Sequence, residues 1–192
     1  MHALADWVLA PARHAHDGHI GLRATPGGFG HDLARIEGTD LACGDRRTPI
    51  TTLAAAAAFV GVPPAHHSGT YEPQTAWDGD APLSLDAAEA AALAELFATA
   101  AGVLDAFRAE CVAPTSITLW PEHLDVAFSA AEVNYGASPG DAGHDHGYWY
   151  VGPWNALDGA EPFWNEAFGA SLPYGDGDAM TFLRRGRDLA AR

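Results

Sequence analysis

The clearest hydrophobic pattern in the chain lies between residues 86 and 111. Apolar side chains recur there at the spacing of one helical face, and charged residues take other positions; the apolar set is Leu93, Leu96, Phe97, Ala100, Leu104 and Phe107. Asp86 followed by Glu89 resembles a capping box, and Pro114 comes shortly after the last apolar position. We therefore predict a helix from Asp86 to Cys111 whose apolar stripe lies in the core.

Shorter patterns predict the elements before this helix. Residues 3–15 suit a helix that stops near Gly18, and residues 19–43 suit a strand meander with a tight turn at Gly38-Thr39. The segment Pro49-Ile50-Thr51-Thr52 opens an alanine-rich helix that ends at Gly61. Residues 62–82 are rich in proline, glycine and aspartate and form a long loop, which is uncommon unless such a loop covers something.

The last third of the chain mixes extended segments with one more helix. Residues 115–135 are predicted to be extended, residues 147–152 form an aromatic strand, and a final helix runs from about Asp178 to Ala190. Together these elements predict one α+β domain over residues 1–192, with an antiparallel sheet and helices packed on one face.

Composition narrows the classes of partner. The chain has 192 residues, of which 48% are hydrophobic, and it carries 25 acidic and 10 basic side chains, for a net charge of −15. Such a charge repels phosphate, so neither nucleic acid nor an anionic membrane is an expected partner. Cys43 and Cys111 lack CxxC spacing, no signal peptide is evident, and no apolar run reaches the ~18 residues of a membrane span. We expect a cytoplasmic protein with reduced thiols.

Ionisable residues that could do chemistry begin at residue 122. If residues 122–128 are extended, alternation places His123 and Asp125 on one face and Glu122 on the other. An aspartate can orient a nearby imidazole, so these three residues are candidate catalytic groups. The alternative is a turn after Pro121, with the side chains of Glu122 and His123 either in solvent or capping backbone groups.

A metal site is a second hypothesis. Glu132 and Asn134 fall on one face of an apolar strand, where a carboxylate is costly to bury unless it is paired or coordinated. His144 and His146 have the His-x-His spacing of a ligand pair. Zinc or iron could be held by some of His123, Glu132, His144 and His146, in a hydrolase-like enzyme. The alternatives are a strand edge facing water and histidines of a polar loop, so no cofactor is certain.

Large aromatic residues surround the same segment. Trp120, Tyr135, Trp149 and Trp154 could line a pocket whose polar groups are Glu122, His123 and Asn134, which suits a small organic ligand. The first alternative is that these rings only fill the core. The second is that exposed aromatics form the face of a homodimer. The sequence leaves ligand binding, catalysis and self-association open.

Three of these segments also carry a resemblance. Residues 120–125 (WPEHLD), 134–141 (NYGASPGD) and 150–154 (YVGPW), with residues 21–30 and the helix start at 49–53, resemble the hallmark segments of an uncharacterised family of actinobacterial proteins. The absence of lysine and the abundance of alanine suit a high-GC genome. The resemblance implies a single intact domain and implies no mechanism.

Overall fold

A computed structural model describes residues 1–155 and 161–192 of the chain. It contains two antiparallel sheets together with helices, so the α+β prediction is confirmed. The helices are α1 (His2–Leu4), a π-helical turn (Ala5–Leu9), α2 (Ala10–Asp17), α3 (Leu53–Val60), α4 (Ala87–Arg108) and α5 (Ala179–Ala190). The strands are β1 (Arg23–Thr25), β2 (Gly28–Gly30), β3 (Ala34–Glu37), β4 (Asp40–Cys43), β5 (Arg46–Pro49), β6 (Thr118–Trp120), β7 (Asp125–Ala130), β8 (Val133–Ser138), β9 (Tyr148–Pro153) and β10 (Ala170–Pro173).

The chain divides into two compact units. Unit 1 comprises Met1–Ala98 and Leu119–Leu124, and unit 2 comprises Thr99–Thr118 and Asp125–Arg192. Leu119 belongs to unit 1 because its amide and carbonyl pair with those of Leu22 at N···O distances of 2.8 and 2.7 Å. The expectation of a single domain over residues 1–192 stays a prediction.

Unit 1 contains the predicted strand meander. Strands β1 to β5 pair antiparallel in chain order, so the meander is confirmed, and it extends past residue 43 through β5. The predicted turn at Gly38-Thr39 joins β3 to β4, and Gly38 has a φ of +64°, a conformation that favours glycine. Phe29, Ile36 and Leu41 are buried along the sheet, and Phe29 meets Phe97 edge to face.

Local signals at the helix ends of unit 1 also act as predicted. Gly18 ends α2 and Gly61 ends α3, both in the left-handed conformation that lets a terminal amide bond back to the helix. The Thr52 hydroxyl accepts a hydrogen bond from the amide of Ala55 at 3.1 Å and so caps α3. The boundaries of these two helices therefore follow from single residues.

Helix α4 is the predicted long helix, shorter by a few residues at its C-terminal end. The Asp86 carboxylate accepts hydrogen bonds from the amides of Ala88 and Glu89. Phe97, Leu104 and Phe107 are fully buried as expected, whereas Leu93 and Leu96 are only half-buried. Among the described residues α4 is the one helix that could cross a membrane by length and composition. Its buried aromatic residues belong to a protein core.

Unit 2 is built on the sheet of β7, β8, β9 and β10, which pair antiparallel in that order. The register places Phe128, Tyr135 and Val151 side by side on one face. The ring of Phe107 contacts Phe128 and Tyr135, while a Cβ on Gly186 of α5 would lie 2.7 Å from Val151 Cγ2. Helices therefore pack on this face, as predicted; we call the opposite face the outer face.

The segment predicted to be extended, residues 115–135, contains β6, β7 and the start of β8, but two turns divide it. A turn at residues 121–124 separates β6 from β7, and Ala131 and Glu132 form the tight turn between β7 and β8. Both of these hairpin residues have positive φ, +49° and +60°. The final helix was predicted correctly, and the Asp178 carboxylate caps it by accepting a hydrogen bond from the amide of Thr181.

Candidate functional site

The predicted catalytic residues Glu122, His123 and Asp125 do not share a strand. Glu122 and His123 lie in the turn of residues 121–124, in unit 1, where Glu122 is half-buried and His123 is exposed. Asp125 is the first residue of β7 in unit 2 and is buried. Alternation does not apply to a turn, so the extended arrangement is wrong and the turn after Pro121 is the alternative that the structure shows.

Asp125 takes part in a hydrogen bond across the outer face. The hydroxyl of Tyr150, on β9, donates to Asp125 Oδ2, on β7. The intervening strand contributes Gly136 beneath the Tyr150 ring. Burial, followed by the negative charge of Asp125, raises the pKa of Tyr150 well above its ordinary value. The phenol therefore keeps its proton and remains the donor at neutral pH.

Glu132 is not on a strand face beside Asn134, contrary to the sequence prediction. It occupies the hairpin turn, is exposed, and accepts a hydrogen bond from the side-chain amide of Asn155 at 3.2 Å. The hairpin places its carboxylate in solvent, so burial imposes no requirement for a metal or a buried partner. The exposed carboxylate of Glu132 therefore gives no reason to infer a metal ligand at this position.

The predicted aromatic pocket is divided by the two faces of the sheet. Tyr135 stacks on Phe128 in the core, and Trp149 is buried against Tyr174. Asn134 points the other way, because neighbouring strand residues alternate, and its Oδ1 accepts a hydrogen bond from the indole nitrogen of Trp154 at 2.9 Å. In unit 2 the core-filling alternative is the one observed for Tyr135 and Trp149, while Trp154 remains 63% exposed.

Trp120 belongs to unit 1, where it is 38% exposed at the end of β6. The structure therefore brings together Asn134 and Trp154, and separately Tyr135 with the core rings. It does not bring the predicted aromatic set to a single face of the unit 2 sheet.

His144 lies between two carboxylates in unit 2. Its Nδ1 is 3.1 Å from Asp141 Oδ1, and its Nε2 is 3.0 Å from Glu166 Oε1. Hydrogen bonds to Glu166 and then to Asp141 raise the pKa of His144, and the Tyr148 hydroxyl is the main cause that lowers the pKa of Asp141 to about 2. An imidazole that donates from both nitrogens is the imidazolium form, which has no lone pair for a metal.

The proposed metal ligands are not assembled. Within residues 1–155 and 161–192, no three side chains of histidine, cysteine, aspartate or glutamate are grouped so as to hold a metal ion. Glu132 is in its exposed turn, His144 is committed to Asp141 and Glu166, and His146 is exposed on the same loop. The His-x-His spacing predicted a metal pair, whereas the observed partners of His144 are the carboxylates of Asp141 and Glu166.

Unit 1 contains a cavity that was not predicted from the sequence. Its volume is about 570 Å³, within the ~300–1,000 Å³ range of pockets for small organic ligands. The walls come from α2 (Pro11, Ala12, Ala15), from the segments beside β3 and β4 (Asp32, Leu33, Cys43, Gly44), and from the end of α3 with the loop that follows (Val60, Gly61, Val62, Pro63, His66).

The cavity has a mainly apolar surface with a few polar groups at its walls. Leu33 is 37% exposed, and it is one of the few large apolar side chains in the described residues with that much exposure. Asp32, Cys43 and His66 supply a carboxylate, a thiol and an imidazole. The one sequence signal that pointed here was the long loop after residue 61, which was expected to cover something.

Comparison of the chain with protein-family models, with curated proteins and with solved structures finds no match. The resemblance to the actinobacterial family therefore stays a prediction.

Proposed function

We propose that the protein binds a small organic molecule in the unit 1 cavity. The observation that carries this proposal is the cavity itself, with about 570 Å³ of space between apolar walls and a half-exposed Leu33 among them. When an apolar ligand displaces water from an apolar surface of this shape, the free energy of the system falls, and this favours binding. The ligand class is the one that the sequence suggested, but the site lies in the other half of the chain.

The charges around the cavity restrict the ligand further. Among the described residues that line it there is no arginine, and the chain has no lysine, so the imidazole of His66 is the one basic group in the described walls that a carboxylate or phosphate could meet. Asp32 adds a negative charge to the wall, and its carboxylate forms an ion pair with the guanidinium of Arg23. The net charge of −15 also repels anions. The favoured ligand is mainly apolar and either neutral or cationic.

A fluorescent probe tests this proposal. N-phenyl-1-naphthylamine is neutral and apolar, and its fluorescence increases in an apolar environment. We therefore expect a saturable increase of its fluorescence when it is titrated with the wild-type protein. Ala15→Trp places an indole at the cavity wall and should weaken probe binding about tenfold or more. Ala91→Trp is the matched control, because Ala91 is an exposed alanine of α4 that does not line the cavity.

Two results would contradict the proposal. The first is the absence of any saturable signal with wild-type protein. The second is equal affinity of wild type and Ala15→Trp, which would place the probe elsewhere. If instead only Ala15→Trp loses binding while both variants keep the wild-type melting temperature, the site is assigned to the cavity.

A second candidate function is self-association through unit 2. Trp154 is 63% exposed and Phe168 is 42% exposed, and large exposed aromatics of this kind are enriched in interfaces. Light scattering across a dilution series measures the mass, and a dimer that dissociates in Trp154→Ala would support this function. A monomer at every concentration would contradict it.

A further inference from the structure

The loop that begins after α3 forms one wall of the cavity and is then fixed to the N-terminal helix. Val62, Pro63 and His66 line the cavity, and residues 62–86 contain neither helix nor strand. A segment of this length without regular structure needs other contacts to hold it in place. Asp6 and Trp7 supply such contacts as far as residue 77. Beyond it, the amide of Ala54 donates to the carbonyl of Gly79, and the amide of Leu83 donates to the carbonyl of Thr51.

Asp6 binds the loop at two points. Its Oδ1 accepts a hydrogen bond from the Tyr71 hydroxyl at 3.0 Å, and its Oδ2 accepts from the amide and the hydroxyl of Thr75 at 3.1 and 2.8 Å. Asp6 is only 1% exposed, so these bonds replace nearly all of its hydration. Burial, and then the charge of Asp6, raise the pKa of Tyr71, which keeps the phenol protonated and able to donate.

Trp7, the next residue after Asp6 in the sequence, contacts the same part of the loop. Its indole nitrogen donates to the carbonyl of Thr75 at 3.0 Å, and its ring meets His67 and Trp77 edge to face. His67 directly follows the cavity residue His66. The side chains of Asp6 and Trp7 thus contact the loop at residues 67, 71, 75 and 77, all downstream of the cavity wall.

Both anchors lie in the π-helical turn Ala5–Leu9. A proline inside a helix clashes with the carbonyl four residues before it, and for Pro11 that residue is Trp7. A wider turn at this point relieves the clash, and such turns recur at functional positions of helices. The same continuous helical segment also supplies Pro11, Ala12 and Ala15 to the lining of the cavity.

We infer that residues 62–75 form a lid over the cavity, whose closed position is set by Asp6 and Trp7. The ligand enters and leaves when the hydrogen bonds to Asp6 open. This inference rests on the proposed ligand site, because a lid has a function only if the cavity is occupied. The geometric reason is that one helical segment carries both the anchors and the lining residues Pro11, Ala12 and Ala15, so the anchors tie the loop to the helix that it shares the cavity with.

Tyr71→Phe and Asp6→Ala test the lid. Tyr71→Phe removes one hydroxyl and keeps the ring, whereas Asp6→Ala removes the whole acceptor. The amides of residues 62–75 should exchange with deuterium about tenfold faster in Tyr71→Phe, and the amides of α4 and β8 should be unchanged. The dissociation rate of N-phenyl-1-naphthylamine, measured by stopped flow, should rise about fivefold. Tyr174→Phe is the matched control, since it deletes a phenol hydroxyl in unit 2.

The two readouts separate failure of the lid from failure of the ligand site. Exchange in residues 62–75 that is the same in wild type, Tyr71→Phe and Asp6→Ala would overturn the lid, whatever the probe does. Faster exchange with an unchanged dissociation rate would also overturn it, because the loop would then move without gating the cavity. If wild type does not bind the probe at all, the ligand site fails and the lid fails with it, whereas the exchange data still establish whether Asp6 anchors the loop. If Asp6→Ala does not fold, Tyr71→Phe alone decides.

Discussion

The ring of Tyr150 lies against the backbone of Gly136, with no room for a side chain between them. A Cβ built on Gly136 would come within 2.4 Å of Tyr150 Cζ and 2.5 Å of its hydroxyl oxygen. The missing side chain is what lets a phenol on β9 pass over β8 and donate its hydrogen bond to Asp125 on β7. One glycine therefore permits a hydrogen bond between two strands that are not neighbours.

Gly136→Ala should destabilise the protein. The methyl group must push the Tyr150 ring aside and disturb its hydrogen bond to Asp125, so the free energy of unfolding should fall by about 1–3 kcal/mol. Urea unfolding measures this loss. Gly102→Ala is the control, because a Cβ there meets nothing within 4 Å and the position lies in α4, where alanine is favoured by about 0.5–1 kcal/mol. A Gly136→Ala protein as stable as wild type would contradict the packing.

Phe107→Ala should be among the most damaging core substitutions. Phe107 is fully buried and contacts the rings of Phe128 and Tyr135, so truncation leaves a cavity at the junction of α4 with the unit 2 sheet. We expect a loss of about 3–5 kcal/mol in unfolding free energy. Val112→Ala, at a position 84% exposed, should change it by less than about 0.5 kcal/mol. Equal effects of the two substitutions would contradict the assigned core.

The pairing of His144 with Glu166 and Asp141 predicts a pH dependence. The folded pKa of His144 is raised above its unfolded value of about 6.5, so its stabilising contribution is complete below that pH and is lost as pH rises through the folded pKa. His144→Gln cannot titrate. The melting-temperature difference between wild type and His144→Gln should therefore shrink as pH rises above about 6.5. A difference that grows over this range would show that the pKa shift has the opposite sign.

His31 should give the opposite dependence of stability on pH. It is buried between β2 and β3, and burial, followed by the positive charge of Arg13, lowers its pKa to about 4. The unfolded chain takes up this proton below about pH 6.5, so His31 lowers stability as pH falls from there to about 4. The imidazole resonances of His31 in an NMR titration should show a midpoint near 4. A midpoint near 6.5 would contradict its burial.

Features governed by neighbours in sequence could be predicted from the sequence. The limits of α3 and α5 follow from Thr52, Gly61 and Asp178, whose caps need only residues three or four positions away. The hairpin turn at Ala131 and Glu132 was missed for a physical reason. Both residues have positive φ, yet neither is the glycine or asparagine that usually marks such a turn. Glu132 was consequently assigned to a strand, and a metal site was argued from its apparent burial.

The candidate site could not be predicted because its walls are distant in sequence. The cavity unites residues from α2, from the meander and from the loop after α3, and no spacing in the sequence relates them. His144 is a second case in which the interacting residues are distant in sequence. The His-x-His pattern points to its neighbour His146, whereas its partner Glu166 is 22 residues away. Only the pairing of the strands brings these two side chains together.

The most direct test of the proposed ligand site is methyl-resolved NMR of the folded protein during titration with neutral and cationic apolar fragments. Leu33, Val60 and Val62 line the cavity, whereas Val151 and Leu183 lie in the core of unit 2. We expect saturable chemical-shift changes at the three cavity residues and none at the two unit 2 residues. Fragments that bind with shifts only in unit 2, or a full set that shifts none of the cavity methyls, would contradict it.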